Sequence, residues 1–117
     1  MDFSDIDRRE REWADRAQKA QANAAQAYER LISLAERRDS GQIRRVAYFV
    51  AATFDGQAFP LDLFDLRTVD PEISDDMLIC LDALRWGKAD LYKLVPDGHG
   101  RVLRMCEAWG IKWPGSA

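Results

Sequence analysis

The side chains able to do chemistry are few. Cys80 and Cys106, the single histidine His99, and an acid such as Asp90 or Asp97 are the parts of a Cys–His nucleophile. Both cysteines, however, recur with Leu, Ile, Val and Met at helical spacing, and a cysteine on such a stripe packs as a small hydrophobe. Asp70, Glu72, Asp75 and Asp76 could gather around a cation. Yet Asp70-Pro71 reads as a helix start that needs Asp70 as its cap, and a glycine-centred calcium loop is missing. Two cysteines and one histidine cannot build a four-ligand zinc site. Phosphate-cradling, dinucleotide-binding and nucleophile-elbow motifs do not occur. The expectation is a chain that is not an enzyme, with no catalytic residue, no metal and no cofactor.

Charge supplies two further candidates. Arg37, Arg38, Arg44 and Arg45 bracket the turn at Asp39-Ser40-Gly41 and could set four guanidinium groups at one corner, a potential phosphate contact. Net charge is +1 over residues 1–54, −6 over 55–90 and +2 over 91–117. A basic protein would meet a favourable field at the acidic middle. Asp62, Asp65, Asp75 and Asp76 are its acids least committed to helix capping, and are therefore the expected partner-binding residues. A sequence pI near 5.1 argues against nucleic acid as the first choice of partner.

The elements that position these groups read as helices. Residues 4 to 38 contain neither Gly nor Pro and are rich in Ala, Gln, Glu and Arg, which predicts one long helix of roughly 50 Å. Trp13, Ala17, Ala20, Ala24, Ala27, Leu31 and Leu34 alternate steps of four and three along it, a heptad seam. Alanine buries little area. The seam accordingly needs another helix, from this chain or a second copy, and Trp13, Ala17, Ala20 and Ala24 are expected to find it in a weak homodimer or on a larger protein. Ile43, Val46, Ala47, Val50 and Phe54 predict a second, core helix ending at Asp55-Gly56. Leu61 to Leu66 predict a short helical turn with Leu63, Phe64 and Leu66 anchored in the core. Asp70-Pro71 opens a third helix to about Arg85, with Ile73, Met77, Cys80, Leu81 and Leu84 inward and Asp75, Asp76 and Asp82 outward. Residues 96–100 read as a turn. Val102, Leu103, Cys106 and Trp109 then predict a last helix closed by Gly110. The fold class is all-α, a small bundle of about four to five helices, divided into an Ala-rich arm over residues 1–27 and a compact core over 28–117. No apolar run is long enough to cross a membrane and no leader pattern opens the chain, so a cytoplasmic setting is expected.

One resemblance extends this reading. Asp39-Ser40-Gly41-Gln42, then Arg45-Val46-Ala47-Tyr48-Phe49, then Phe59-Pro60-Leu61-Asp62-Leu63-Phe64-Asp65-Leu66, continuing through Asp70 and Asp75-Asp76-Met77-Leu78, resembles an uncharacterised family of short bacterial proteins encoded on integrative conjugative elements and plasmids. The likeness covers residues 28–85 and more loosely reaches Trp113. Its motifs are turns, caps and core apolars. It implies a mobile-element origin without supplying a catalytic residue. The functional expectation is a protein-binding module, an inhibitor or regulator of a host defence or element-encoded complex acting through an acidic surface. The alternative is a nucleic-acid-binding accessory protein that uses the arginine corner.

Overall fold

The computed structural model describes residues 3–37 and 39–115. Among these, four α-helices follow in order: α1 (Phe3–Arg37), α2 (Gly41–Phe54), α3 (Pro71–Trp86) and α4 (Gly98–Trp109). Short 3-10 turns lie at Leu63–Arg67 and Leu91–Leu94. No strand occurs among the described residues, and the all-α architecture with a long first helix is the one the periodicities indicate.

α1 has 35 residues, a rise of about 52 Å, and it accounts for nearly all of the molecule's 57 Å length. Asp5 in its first turn and Arg37 in its last complement the helix dipole. α3 runs antiparallel beside it: Arg30 of α1 meets Asp76 early in α3, and Arg16 of α1 stacks over Trp86 at the end of α3. Along that stretch Ala17, Ala20, Ala24 and Ala27 are buried. The small seam lets α3 approach closely, as small residues do, so the helix that covers Ala17, Ala20 and Ala24 comes from this chain and not from a second copy or a larger partner. Ala20, Ala24 and Ala27 join the same core as Tyr28, so the uncovered arm is residues 4–16 rather than 1–27.

The centre is filled by Tyr28, Leu31 and Ile32 of α1, Val46, Phe49 and Val50 of α2, Met77 and Cys80 of α3, Leu91 of the second 3-10 turn, and Val102 and Met105 of α4. Each large aliphatic or aromatic side chain removed from water contributes about 1.5–3 kcal/mol. Ser40 caps α2, its hydroxyl accepting from the Ile43 N–H at 3.3 Å. Gly110 ends α4 at φ 70°, and the Ile111 N–H returns to the Cys106 carbonyl at 2.8 Å. Gly98 starts α4 against the second 3-10 turn so tightly that a Cβ would sit 1.7 Å from the Tyr92 carbonyl oxygen. The helix therefore begins inside residues 96–100, which the sequence reads as a turn.

Four inward assignments fail. Leu63 and Phe64 stand 69% and 66% exposed, because Phe59 and Val69 on either side already hold the loop to the core. Leu84 and Leu103 are exposed as well, and Ala83 and Met105 occupy the buried positions instead. Both lie beside the buried line of their helices, which runs through Met77, Cys80 and Ala83 on α3 and through Val102, Met105 and Cys106 on α4.

Candidate functional site

The arginine corner separates once folded. Arg45 turns to Asp65, with Nη1 2.8 Å from Oδ1. Arg44 lies over the rings of Trp109 and Tyr48, at 5.3 and 6.0 Å, and donates to the Tyr48 hydroxyl at 3.3 Å. Arg37 donates to the Ser33 carbonyl one turn back at 3.2 Å. Arg38 lies outside the described residues. Arg37 and Arg44 do line one recess of about 330 Å³ together with Trp109, but Glu36 and Asp39 line it too. Four guanidinium groups at one corner thus become two on a wall of mixed sign.

The acidic set separates for a related reason. Asp65 is buried against Arg45, its side chain 11% exposed. Asp76 takes a two-pronged bond from Arg30, Nε to Oδ2 at 3.0 Å and Nη2 to Oδ1 at 2.8 Å, with its side chain 14% exposed. Both are interior braces. Asp62 caps the first 3-10 turn, accepting from the Phe64 N–H at 3.0 Å. Only Asp75 of the four is exposed without a bonded partner among the described residues. Beyond the four, Asp82 pairs with Arg85, Asp90 with Lys93, and Asp55 accepts from the Gln57 and Ala58 N–H groups. Since Arg30, Arg45 and Lys93 come from outside residues 55–90, the −6 counted along the chain is roughly halved on the folded surface.

The structure instead brings forward residues the sequence placed inside. The turn Leu63–Arg67 presents the side chains of Leu63 and Phe64 outward, and the Arg67 guanidinium lies 5.3 Å over the Phe64 ring. The turn is not a loose loop. Asp62 caps its start, Asp65 anchors its middle to Arg45 of α2, and the Thr68 hydroxyl bonds the Asp65 carbonyl at 2.9 Å. Phe59 and Val69 bury on either side. Beside it, Gly41, Arg44, Arg45, Tyr48, Pro60, Asp62 and Asp65 line a recess of about 490 Å³, with Tyr48 itself exposed. A braced apolar knob next to a groove suits docking, since the ordering cost of the backbone that presents the two side chains is already met by the fold. The signal for it in the sequence was the adjacency of Leu63 and Phe64 after a capping Asp62: neighbouring residues in a single turn cannot both face one core.

The remaining chemistry does not assemble. Cys80 and Cys106 are buried free thiols. Burial pushes the Cys80 thiol up to about 12 and raises Cys106 as well, so neither is an activated nucleophile. His99 is exposed and stacks on Phe54 at 5.4 Å within an aromatic group that includes Tyr92 and Trp113. Asp97 is engaged by Arg104 at 2.7 Å, a bond that lowers its pKa. No group of three metal-ligating side chains forms among the described residues, and none of their helices is long and apolar enough to cross a membrane. Of the self-association set, Ala17, Ala20 and Ala24 are covered within the chain and Trp13 is half exposed.

Among known proteins the likeness is to a family alone. Residues 25–110 match the profile of a family of unknown function, DUF7673, a match that leaves out the uncovered arm. No curated protein and no solved structure matches.

Proposed function

We propose that this chain, which belongs to the DUF7673 family, is a non-enzymatic protein-binding module that docks on its partner through Leu63 and Phe64. One observation carries the reading: two adjacent large apolar side chains, each about two-thirds exposed, are held outward by an ion pair, a cap and two buried anchors. A fold that braces an apolar pair in water keeps a cost it could avoid by turning the pair inward. The partner is a protein with an apolar cleft, and a basic rim would meet Asp75 on α3. In its finer form, the reading makes the chain an inhibitor or regulator carried by a bacterial mobile element, acting in the cytoplasm on a host defence or element-encoded complex. The motifs from Asp39 to Leu78 support that origin by resemblance.

The test is co-purification from the native host with tagged wild type and with Leu63→Ser/Phe64→Ser. The variant changes only exposed side chains and is expected to keep its helicity and melting temperature while losing the partner. Equal recovery of the same partner by both chains would sink the proposal. A second reading, nucleic-acid binding, has one observation in its favour: Arg37 and Arg44 lack carboxylate partners among the described residues and share a recess with the Trp109 ring. A gel-shift titration separates the two. Binding that weakens steeply with salt and disappears in Arg37→Gln/Arg44→Gln would replace the protein-binding reading.

A further inference from the structure

At the far end of the α1–α3 pair a knob and a hole sit side by side. Trp13 is 51% exposed on the uncovered arm. Next to it Glu10, Trp13 and Ala14 of α1, with Trp86 and Lys88 at and just past the end of α3, line a recess of about 320 Å³. Trp86 forms part of its wall and is flanked by the guanidinium groups of Arg16 and Arg85 at 5.1 and 4.8 Å. The Trp86 indole N–H is the one buried side-chain donor or acceptor without a partner among the described residues. The arm beyond it, residues 4–16, is exposed throughout.

We infer that the occupant of this recess is Trp13 of a second copy, in a two-fold pairing of the arms. Three features select a second copy over another protein. A two-fold contact requires each surface to carry both the exposed group and the cavity that takes it, and here Trp13 is half exposed and also forms one wall of the recess. The rim is self-complementary: Glu10 on the arm and Lys88 after α3 form no ion pair with each other or with any other described residue. Rotation about the two-fold sets each copy's Lys88 against the other's Glu10. The arm's charge is also close to balance, with Asp5, Asp7, Glu10, Glu12 and Asp15 against Arg8, Arg9, Arg11 and Arg16, so two copies approach there with little net repulsion. Self-association thus rests on Trp13 with Glu10, Trp86 and Lys88, while Ala17, Ala20 and Ala24 serve the monomer. It is independent of the Leu63–Phe64 surface, and either inference can fail alone.

The contact is small, at the low end of specific interfaces, and half-association is expected at roughly 0.1–1 mM chain. Sedimentation equilibrium on the full chain, from about 10 μM to about 2 mM, should show the mass rising from 13.4 kDa toward twice that value and no further. Trp13→Ala should weaken association roughly 30-fold, the usual effect of losing a central tryptophan anchor. Lys88→Glu alone should weaken it about fivefold or more by setting a second carboxylate against Glu10, and Glu10→Lys/Lys88→Glu should restore it. All these positions are solvent-facing, and unchanged circular dichroism verifies the fold of each variant. A wild-type mass fixed at the monomer value, an open-ended rise past the dimer, undiminished association of Trp13→Ala, or failure of the double exchange to recover binding would each overturn the inference.

Discussion

Residues 17–34 of α1 lie against α3, whereas residues 4–16 of the same helix meet only the end of α3, at Trp86 and Lys88, and run on past it. In the covered half an alanine is a packing surface; in the arm Ala14 is exposed. Ion pairs divide the same way. Arg101 of α4, its side chain 15% exposed, is held by both carboxylate oxygens of Glu36, by Glu29 and by the Ser33 hydroxyl. Arg8 in the arm reaches Asp5 at 3.5 Å and Glu12 at 4.0 Å in open solvent. A heptad pattern thus states where a helix can be covered, and the length of its neighbour states where it is. The 16 residues of α3 cannot span the 35 of α1.

The largest expected effect breaks the covered half. Ala24 is fully buried, and Ala24→Arg must either bury an unpaired cation or push α3 away, at a cost of about 4 kcal/mol or more. Urea titration should find it unfolded or nearly so. Ala14→Arg, ten residues earlier on the same helix, should stay within about 0.5 kcal/mol of wild type. Equal sensitivity at the two sites would mean that the arm is covered after all.

Next in size, Arg101→Met removes a bridge between α4 and α1 and leaves Glu29 and Glu36 side by side without their cation. A loss of about 2–3 kcal/mol is expected, against less than about 0.5 kcal/mol for Arg8→Met, whose pairs are exposed and long. Denaturation midpoints of the two variants decide it.

A third effect belongs to the core alone. Burial raises the Tyr28 hydroxyl from 10.0 to about 12 and the Cys80 thiol from 9.0 to about 12. For both groups the folded state holds the proton more tightly than the unfolded one. Their contribution is intact below pH 9 and is lost as pH climbs from there toward 12. The melting temperature should fall across that window, and Tyr28→Phe with Cys80→Ala should flatten the slope while lowering the starting value by about 1–3 kcal/mol for the lost packing. A slope unchanged in that double variant would point to other groups.

The fold was legible where one pattern had one consequence. Asp39-Ser40-Gly41 gave a stop and a cap, Asp70-Pro71 opened α3, and Gly110 closed α4, because turn and cap chemistry is local. Residues whose fate depends on a distant element were misread. Asp65 and Asp76 looked like free surface acids until Arg45 and Arg30, 20 and 46 positions away, arrived beside them. Leu84 kept the spacing of a core residue, while the buried line of α3 runs through Met77, Cys80 and Ala83. The arginine corner failed in the opposite sense, since Arg45, next to Arg44 on α2, turns to Asp65, and the recess that Arg37 and Arg44 share is also lined by Glu36 and Asp39. Leu63 and Phe64 were hidden by their own hydrophobicity, which reads as core unless the anchors at Phe59 and Val69 are known to suffice.

The smallest effect on stability, and the sharpest view of the contrast, lies in the arm itself. Its helix is held by the helix propensity of its Arg and Glu residues and by exposed pairs such as Arg8 with Asp5, each worth only a few tenths of a kcal/mol. Trp13 leans on the end of α3 but stays half exposed, so Trp13→Gln should shift global stability by less than about 0.5 kcal/mol, where Leu31→Ala, fully buried on the same seam, should cost about 2–5 kcal/mol. Hydrogen exchange on dilute, monomeric protein separates the halves residue by residue. Amides of residues 17–35 should open only with global unfolding, and those of residues 4–16 should exchange through fraying that costs about 1 kcal/mol or less. A helix of 35 residues with uniform protection to its first turn would show that local propensity alone holds the arm. A step in protection near Trp13 would locate the point at which α3 ceases to hold it.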